Sequence, residues 1–225
     1  MRKTTKASIG IAAAAALVAG LAGTSVSIAS AAPENSTVKT ATAKIPAPAA
    51  AVPALKGGTT GVALDKGFTD ALTALKLTPS MLGSGTLESG SVKFPITGGS
   101  VVYWSPKSKY RPYVQGILLH NGSGLRLTGG STNVDLTNFT LNPGNSILYG
   151  DVAVNGTSAA VQAPLFDLWG GTLKPLSVQG SNAILTGTTV HISQTAADTL
   201  NKVFGTTAVK KGLLVGTATI TAQIQ

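Results

Sequence analysis

From Gly61 onward the chain is built of short runs in which apolar and polar residues alternate, the period of a half-buried strand. Val92, Phe94 and Ile96 alternate before Gly98-Gly99, Leu125 and Leu127 before Gly129-Gly130, and Val152 and Val154 before Asn155-Gly156. Each pair suits a tight hairpin, because both central residues of a type I′ turn take positive φ. Val134 and Leu136 face one way, and Phe139 and Leu141 stay on that side only if one residue is inserted near Asn138, which predicts a bulge there. Two segments break the period of two. Phe68, Ala71, Leu72 and Leu75 follow helical spacing behind Asp65, and Ala196, Leu200, Val203 and Phe204 do so behind Ser193, predicting two capped helices of about ten residues. Val62-Ala63-Leu64-Asp65 and its helix line up with Val190-His191-Ile192-Ser193 and its helix, 128 positions on. Either a strand–cap–helix unit occurs twice, covering the two ends of a curved sheet, or two amphipathic helices coincide. The fold class expected is mainly β: an antiparallel β-sandwich or partly closed barrel with two short helices, a single domain over residues 59–225.

The first residues read differently. A basic Met1 to Lys6, an apolar run from Ile9 to Ala22 and small residues ending Ala29-Ser30-Ala31 have the form of a secretory signal peptide over residues 1–31. The apolar run is about 14 residues, short of the ~20 that span a bilayer. The expectation is a secreted protein, either released to the extracellular medium or held at the cell wall, with no transmembrane segment after cleavage. Residues 32–58, rich in Ala, Pro and Lys and without an aromatic, are expected to be a disordered linker. A wall-spanning tether and a plain unfolded tail both fit it.

Composition narrows the function. With no Cys there is no disulfide, thiolate nucleophile or Cys-held metal. The formal charge of +9 loses three cations with the leader, and about +4 remains on the body once Lys39, Lys44, Lys56 and Glu34 are set aside. That field is too weak and diffuse for a nucleic-acid binder. Only His120, His191 and seven acids remain for proton transfer or metal binding, so no catalytic residue and no metal site is assigned. Asp135, Asp151 and Asp167, spaced 16 apart, are read as strand or turn acceptors rather than a pair of catalytic carboxylates.

The densest chemistry lies in Tyr103-Trp104-Ser105-Pro106-Lys107-Ser108-Lys109-Tyr110-Arg111-Pro112-Tyr113, which holds four of the eleven aromatics and three cations. Rings beside cations can stack on a planar or sugar ligand while the cations hold its carboxylates or phosphates. Tyr103, Trp104, Lys107, Lys109, Tyr110, Arg111 and Tyr113 are therefore the candidate ligand residues. The competing reading makes Tyr103, Trp104 and Tyr113 half-buried strand residues and the lysines solubilising tips. His120, before Asn121-Gly122, is read as an exposed residue at a hairpin turn, and His191 as solvent-facing.

At these residues the chain resembles the haem-transport-associated domain of secreted Gram-positive surface proteins. Trp104, Lys107, Tyr110, Arg111, Tyr113 and Val114 fall in the places of that family's Trp-to-Val signature, and His120 to Leu127 is similar to its later His-x-Gly-x-Leu-Asp-Leu stretch. Ile147 to Val152 and the strand–helix unit from Ala183 to Gly205 are similar too. The resemblance implies an all-β envelope-binding fold and haem held through Tyr113 and His120, although only six residues separate these two here. Two functions follow: a non-catalytic protein binding a cell-envelope or extracellular ligand with no cofactor, or a haem-binding protein of an uptake system.

Overall fold

In the computed structural model, residues 45–225 are described; the leader and the first part of the linker lie outside them. The chain runs through β1 (Ala50–Val52), β2 (Gly57–Leu64), α1 (Lys66–Ala74), β3 (Thr78–Gly83), β4 (Thr86–Glu88), β5 (Ser91–Pro95) and β6 (Gly98–Tyr103). It continues through β7 (Val114–Gly129), β8 (Thr132–Asn142), β9 (Ile147–Val154), β10 (Thr157–Trp169), β11 (Ser177–Gln179), β12 (Asn182–Ile192), α2 (Gln194–Phe204) and β13 (Leu214–Gln223). All strand pairings are antiparallel.

One sheet, in the order β1-β6-β7-β8-β9-β10-β12-β13-β2-β5-β4, curls into a half-barrel; of the two architectures expected, the partly closed barrel is the one formed. Alternate residues of its strands, among them Val62, Phe94, Val134, Leu136, Phe139 and Leu165, point inward and form the core. Phe94 on β5 meets Phe139 on β8 edge-on at 5.1 Å, so strands far apart in the sheet order touch across the interior.

Turn chemistry explains the meander. Asn155 (φ 50°) and Gly156 (φ 79°) are the two turn residues between Val154 and Thr157, the type I′ arrangement read from the sequence. The turn expected at Gly129-Gly130 falls one residue later: Gly130 (φ 59°) and Ser131 connect Gly129 to Thr132, and only the glycine takes positive φ. Gly98-Gly99 is no hairpin: both glycines lie inside β6, and a Cβ on Gly99 would stand 2.1 Å from the Ile117 carbonyl oxygen. The pair serves a close strand approach, not a reversal. The bulge at Asn138 is present, with φ 52° and a register shift between Thr137 and Thr140.

Both helices form where their spacing placed them, the first capped by Asp65 onto Gly67 N and the second by Ser193 onto Ala196 N. The expectation that they cover opposite ends is corrected. β2 and β12 both flank β13 and run antiparallel to it, so the helices that follow them emerge at the same end. There α1 and α2 close one wholly apolar hollow of about 230 Å³.

The disorder expected through residue 58 is also corrected for the described part. Ala50–Val52 pair with Val101–Tyr103 of β6, Leu55 is buried, and β2 begins at Gly57. Alternation gave no warning, because the small side chains of β1 are held by their partner strand rather than by an apolar face of their own.

Candidate functional site

The aromatic and basic segment is the loop between β6 and β7. Tyr103 pairs with Val114, and Trp104 N–H donates to the Tyr113 carbonyl at 2.7 Å, which closes the loop at its base. Inside it Ser105 starts a short 3-10 turn with Pro106 in its first position, the place where a missing N–H costs nothing. Lys109, at φ 61°, ends that turn.

The candidate residues separate once they are placed. Trp104 is buried and turned away from solvent: its indole N–H donates to the Pro46 carbonyl at 2.8 Å, and its ring lies 4.8 Å from Tyr110. It is therefore removed from the ligand surface proposed for it. Lys107 and Lys109 are exposed on the loop. Arg111 folds back, its guanidinium donating to the carbonyls of Tyr110 (2.8 Å) and Pro106 (3.3 Å) while standing 5.4 Å from the centre of the Tyr113 ring. Tyr103 and Tyr113 meet edge-to-face at 6.1 Å.

Tyr113, Arg111 and Pro112 line a hollow of about 210 Å³ at the barrel end remote from the helices. Its inner wall is Leu148, Leu168, Val190, Ala218 and Ile220, with Thr60 as a buried polar member. Through Val114, Leu141, Leu185 and Ile220 it adjoins a second apolar hollow of about 120 Å³, which Tyr103 lines. Burial raises the Tyr113 phenol above its ordinary value; Tyr103 adds to the rise and Arg111 opposes it. The arrangement offers one phenol oxygen and one guanidinium beside a greasy trough. Chemically, the phenol can donate a proton or, ionised, an electron pair, the guanidinium can meet an anion, and the lining can cover an apolar surface.

His120 is not part of it. The expected hairpin at Asn121-Gly122 does not exist; β7 runs unbroken from Val114 to Gly129, with a register shift between His120 and Gly124. His120 is 1% exposed, and its ring is fully engaged. Nδ1 donates to the Phe139 carbonyl at 3.2 Å, which leaves Nε2 to accept from the Thr60 hydroxyl at 2.8 Å. With both nitrogens used inside the core, it has none left for iron. His191 is likewise not solvent-facing: it is 7% exposed, stacked 3.7 Å under Trp169, with Nδ1 donating to the Gly212 carbonyl at 2.9 Å.

Two of the three spaced carboxylates have structural partners. Arg126 clamps Asp135 through two bonds of 2.6 and 2.7 Å across β7 and β8. Asp151 accepts from Asn138 Nδ2 (2.9 Å) and from Gln162 N (2.9 Å), holding two residues of positive φ at neighbouring bulges. Asp167 lies opposite His191 in the β10–β12 ladder.

Sequence reading missed Thr60 and Pro46. Thr60 had a signal, being a polar residue in phase with inward Val62; Pro46 had none, since its carbonyl is used only because Trp104 lies beside it.

No protein-family model matches the chain, and no curated protein matches it in sequence. Among solved structures it is similar to the C-terminal domain of HtaA from Corynebacterium glutamicum, with TM-score 0.55 and 14% identity over 76% of this chain and 99% of that one. The N-terminal domain of the same HtaA gives TM-score 0.51 and 11% identity over 76% and 98%. The heme binding protein HtaB of that organism gives 0.45 and 13% over 77% and 96%. The two HtaA domains share this chain's fold, so the resemblance read from the sequence holds at the level of architecture.

Proposed function

We propose that this chain is an exported, non-catalytic haem-binding protein of the cell envelope, with Tyr113 as the residue that meets the iron. The observation that carries the reading is the position of Tyr113: a phenol beside an arginine, at the lip of an apolar trough, in a chain with the HtaA-domain fold. The residues present suit haem. Phenolate oxygen is a known axial ligand of haem iron, the hydrocarbon lining suits the macrocycle, and Arg111 with Lys107 and Lys109 suits the propionates. When bound, haem supplies an iron centre that takes the phenolate oxygen. Tyr113 would hold the group as phenolate, its proton released to solvent, and Arg111 beside the ring would lower the cost of that charge.

Export is supported by the form of residues 1–31, and mass spectrometry of the protein released by its native host should find a chain starting at Ala32. Haem binding is tested by titrating haem into purified protein and recording the visible spectrum. A saturable Soret shift that is lost in Tyr113→Phe is expected. No shift, or one indifferent to Tyr113, overturns the reading.

A further inference from the structure

We infer that residues 46–52, the end of the Ala/Pro-rich segment, are a strap that holds the ligand loop in its closed shape, with Trp104 as the positioning residue that joins strap to loop. The inference rests on the site assigned to Tyr113 and adds a part that no motif marks.

Three separate contacts carry it. Ala49 N–H donates to the Tyr103 carbonyl at 2.8 Å, and Ala50 stands opposite Tyr103 in the β1–β6 ladder. The Trp104 indole N–H donates to the Pro46 carbonyl at 2.8 Å, across 58 positions of sequence. The backbone N–H of that same tryptophan donates to the Tyr113 carbonyl at 2.7 Å. Trp104 is thus bonded to the strap through its side chain and to the haem-facing tyrosine through its backbone. It also packs on Tyr110, which precedes Arg111.

The chemistry explains why the strap suits this task. A buried indole N–H needs an acceptor, because leaving it unpaired costs its full desolvation. Pro46 and Pro48 have no N–H and favour extended backbone, which leaves carbonyls such as that of Pro46 free to accept. Within the loop, Arg111 donates to loop carbonyls, and Ser108 donates to the Ser105 carbonyl and accepts from Tyr110 N–H, all loop partners, so strap and base fix the loop's place on the barrel. If the strap lets go, Trp104 loses its acceptor and Tyr103 loses a ladder partner. The conformation that presents Tyr113 to the hollow then becomes one of several, and apparent affinity falls with its population.

The test uses the mature chain with two substitutions, neither at a residue that lines the hollow. Trp104→Phe keeps a ring against Tyr110 and deletes the indole donor; Ala49→Pro deletes the Tyr103 contact without touching the loop. Each is expected to weaken haem binding by about five- to tenfold, the effect of one hydrogen bond, while the saturated Soret spectrum stays that of the parent. Amide exchange over residues 105–113 is expected to quicken in both variants without haem, with exchange in β8 and β9 unchanged. Unchanged exchange in Ala49→Pro overturns the strap whether or not haem binds. Faster exchange with unchanged haem affinity overturns its role at the site. If the parent protein binds no haem, the functional reading fails, and the exchange experiment still decides the strap.

Discussion

His120 on β7 and Thr60 on β2 are joined by a 2.8 Å hydrogen bond through the middle of the barrel. The two strands lie six places apart in the sheet order, and this bond joins them where no ladder does, beside the Phe94–Phe139 contact that joins the neighbouring strands β5 and β8. Thr60, one end of the tie, also lines the hollow beside Tyr113, whereas His120 does not.

The first prediction concerns acid. Burial lowers His120 from its ordinary 6.5 to about 4, with the bond to Phe139 opposing the fall. Between those values the unfolded chain takes up a proton that the folded chain refuses. Stability from this residue is thus whole above pH 6.5 and declines as pH falls toward 4, by about 3 kcal/mol in total. Urea unfolding at pH 7, 5.5 and 4 should show that loss, and a midpoint flat across the window rules it out. The Asp151 carboxyl acts lower. Burial pushes it up, but the bonds from Asn138 and Gln162 outweigh this and hold it below its ordinary 3.8, so its contribution is lost only on further acidification.

Thr60→Val should destabilise the protein by about 1–3 kcal/mol, the cost of leaving His120 Nε2 unpaired in the core. Valine keeps the shape of threonine, so the hollow keeps its wall. The denaturant midpoint should drop while the haem spectrum keeps its position; a spectral shift of Tyr113-type ligation would mean that Thr60 touches the ligand.

Asn138 is a third test. Its side chain accepts from Gly122 N at 3.0 Å and donates to Asp151 at 2.9 Å, while its backbone takes φ 52°. Asn138→Ala loses both bonds and places a Cβ residue without a local hydrogen bond in the left-handed region, for about 2–3 kcal/mol in all. Asn138→Gly relieves the backbone but not the bonds, so it should fall between alanine and the parent. Equal stability of the glycine variant and the parent would show that the bonds contribute nothing.

Much of this architecture could be read from the chain because its determinants are local. Asn155-Gly156 must be coded at the turn itself, helix α2 declares itself through Ser193 and a stripe ending at Phe204, and the Asn138 bulge shows as a slip of phase between Leu136 and Phe139. The failures have a common cause: one local signal serves two structures. Positive φ at Gly122 serves a bulge as well as a turn, so Asn121-Gly122 points to a surface reversal at His120 although that residue lies in the core. The aromatic loop was visible from composition, but not that Trp104 faces inward, since that depends on Pro46, 58 residues away. Likewise β1 has no pattern of its own, and its order comes from a strand fifty residues on.

The cations of the loop should not be equivalent. Lys107, Lys109 and Arg111 are all exposed, but Arg111 alone of the three lines the hollow, is held by two loop carbonyls and stands over the Tyr113 ring. A guanidinium already fixed in place loses little freedom on meeting an anionic edge, and it also opposes the rise of the Tyr113 phenol, easing the proton's departure. A mobile lysine offers only a screened charge. Arg111→Ala should therefore weaken haem binding by about tenfold or more, and the loss should deepen as pH falls, because the phenol is then harder to ionise. Lys107→Ala with Lys109→Ala should change affinity by less than about threefold, an effect that fades in high salt. Haem titrations of both variants at two pH values and two salt concentrations decide the matter. If the double lysine variant loses more than Arg111→Ala, the ligand sits on the outer face of the loop and not in the hollow beneath Tyr113.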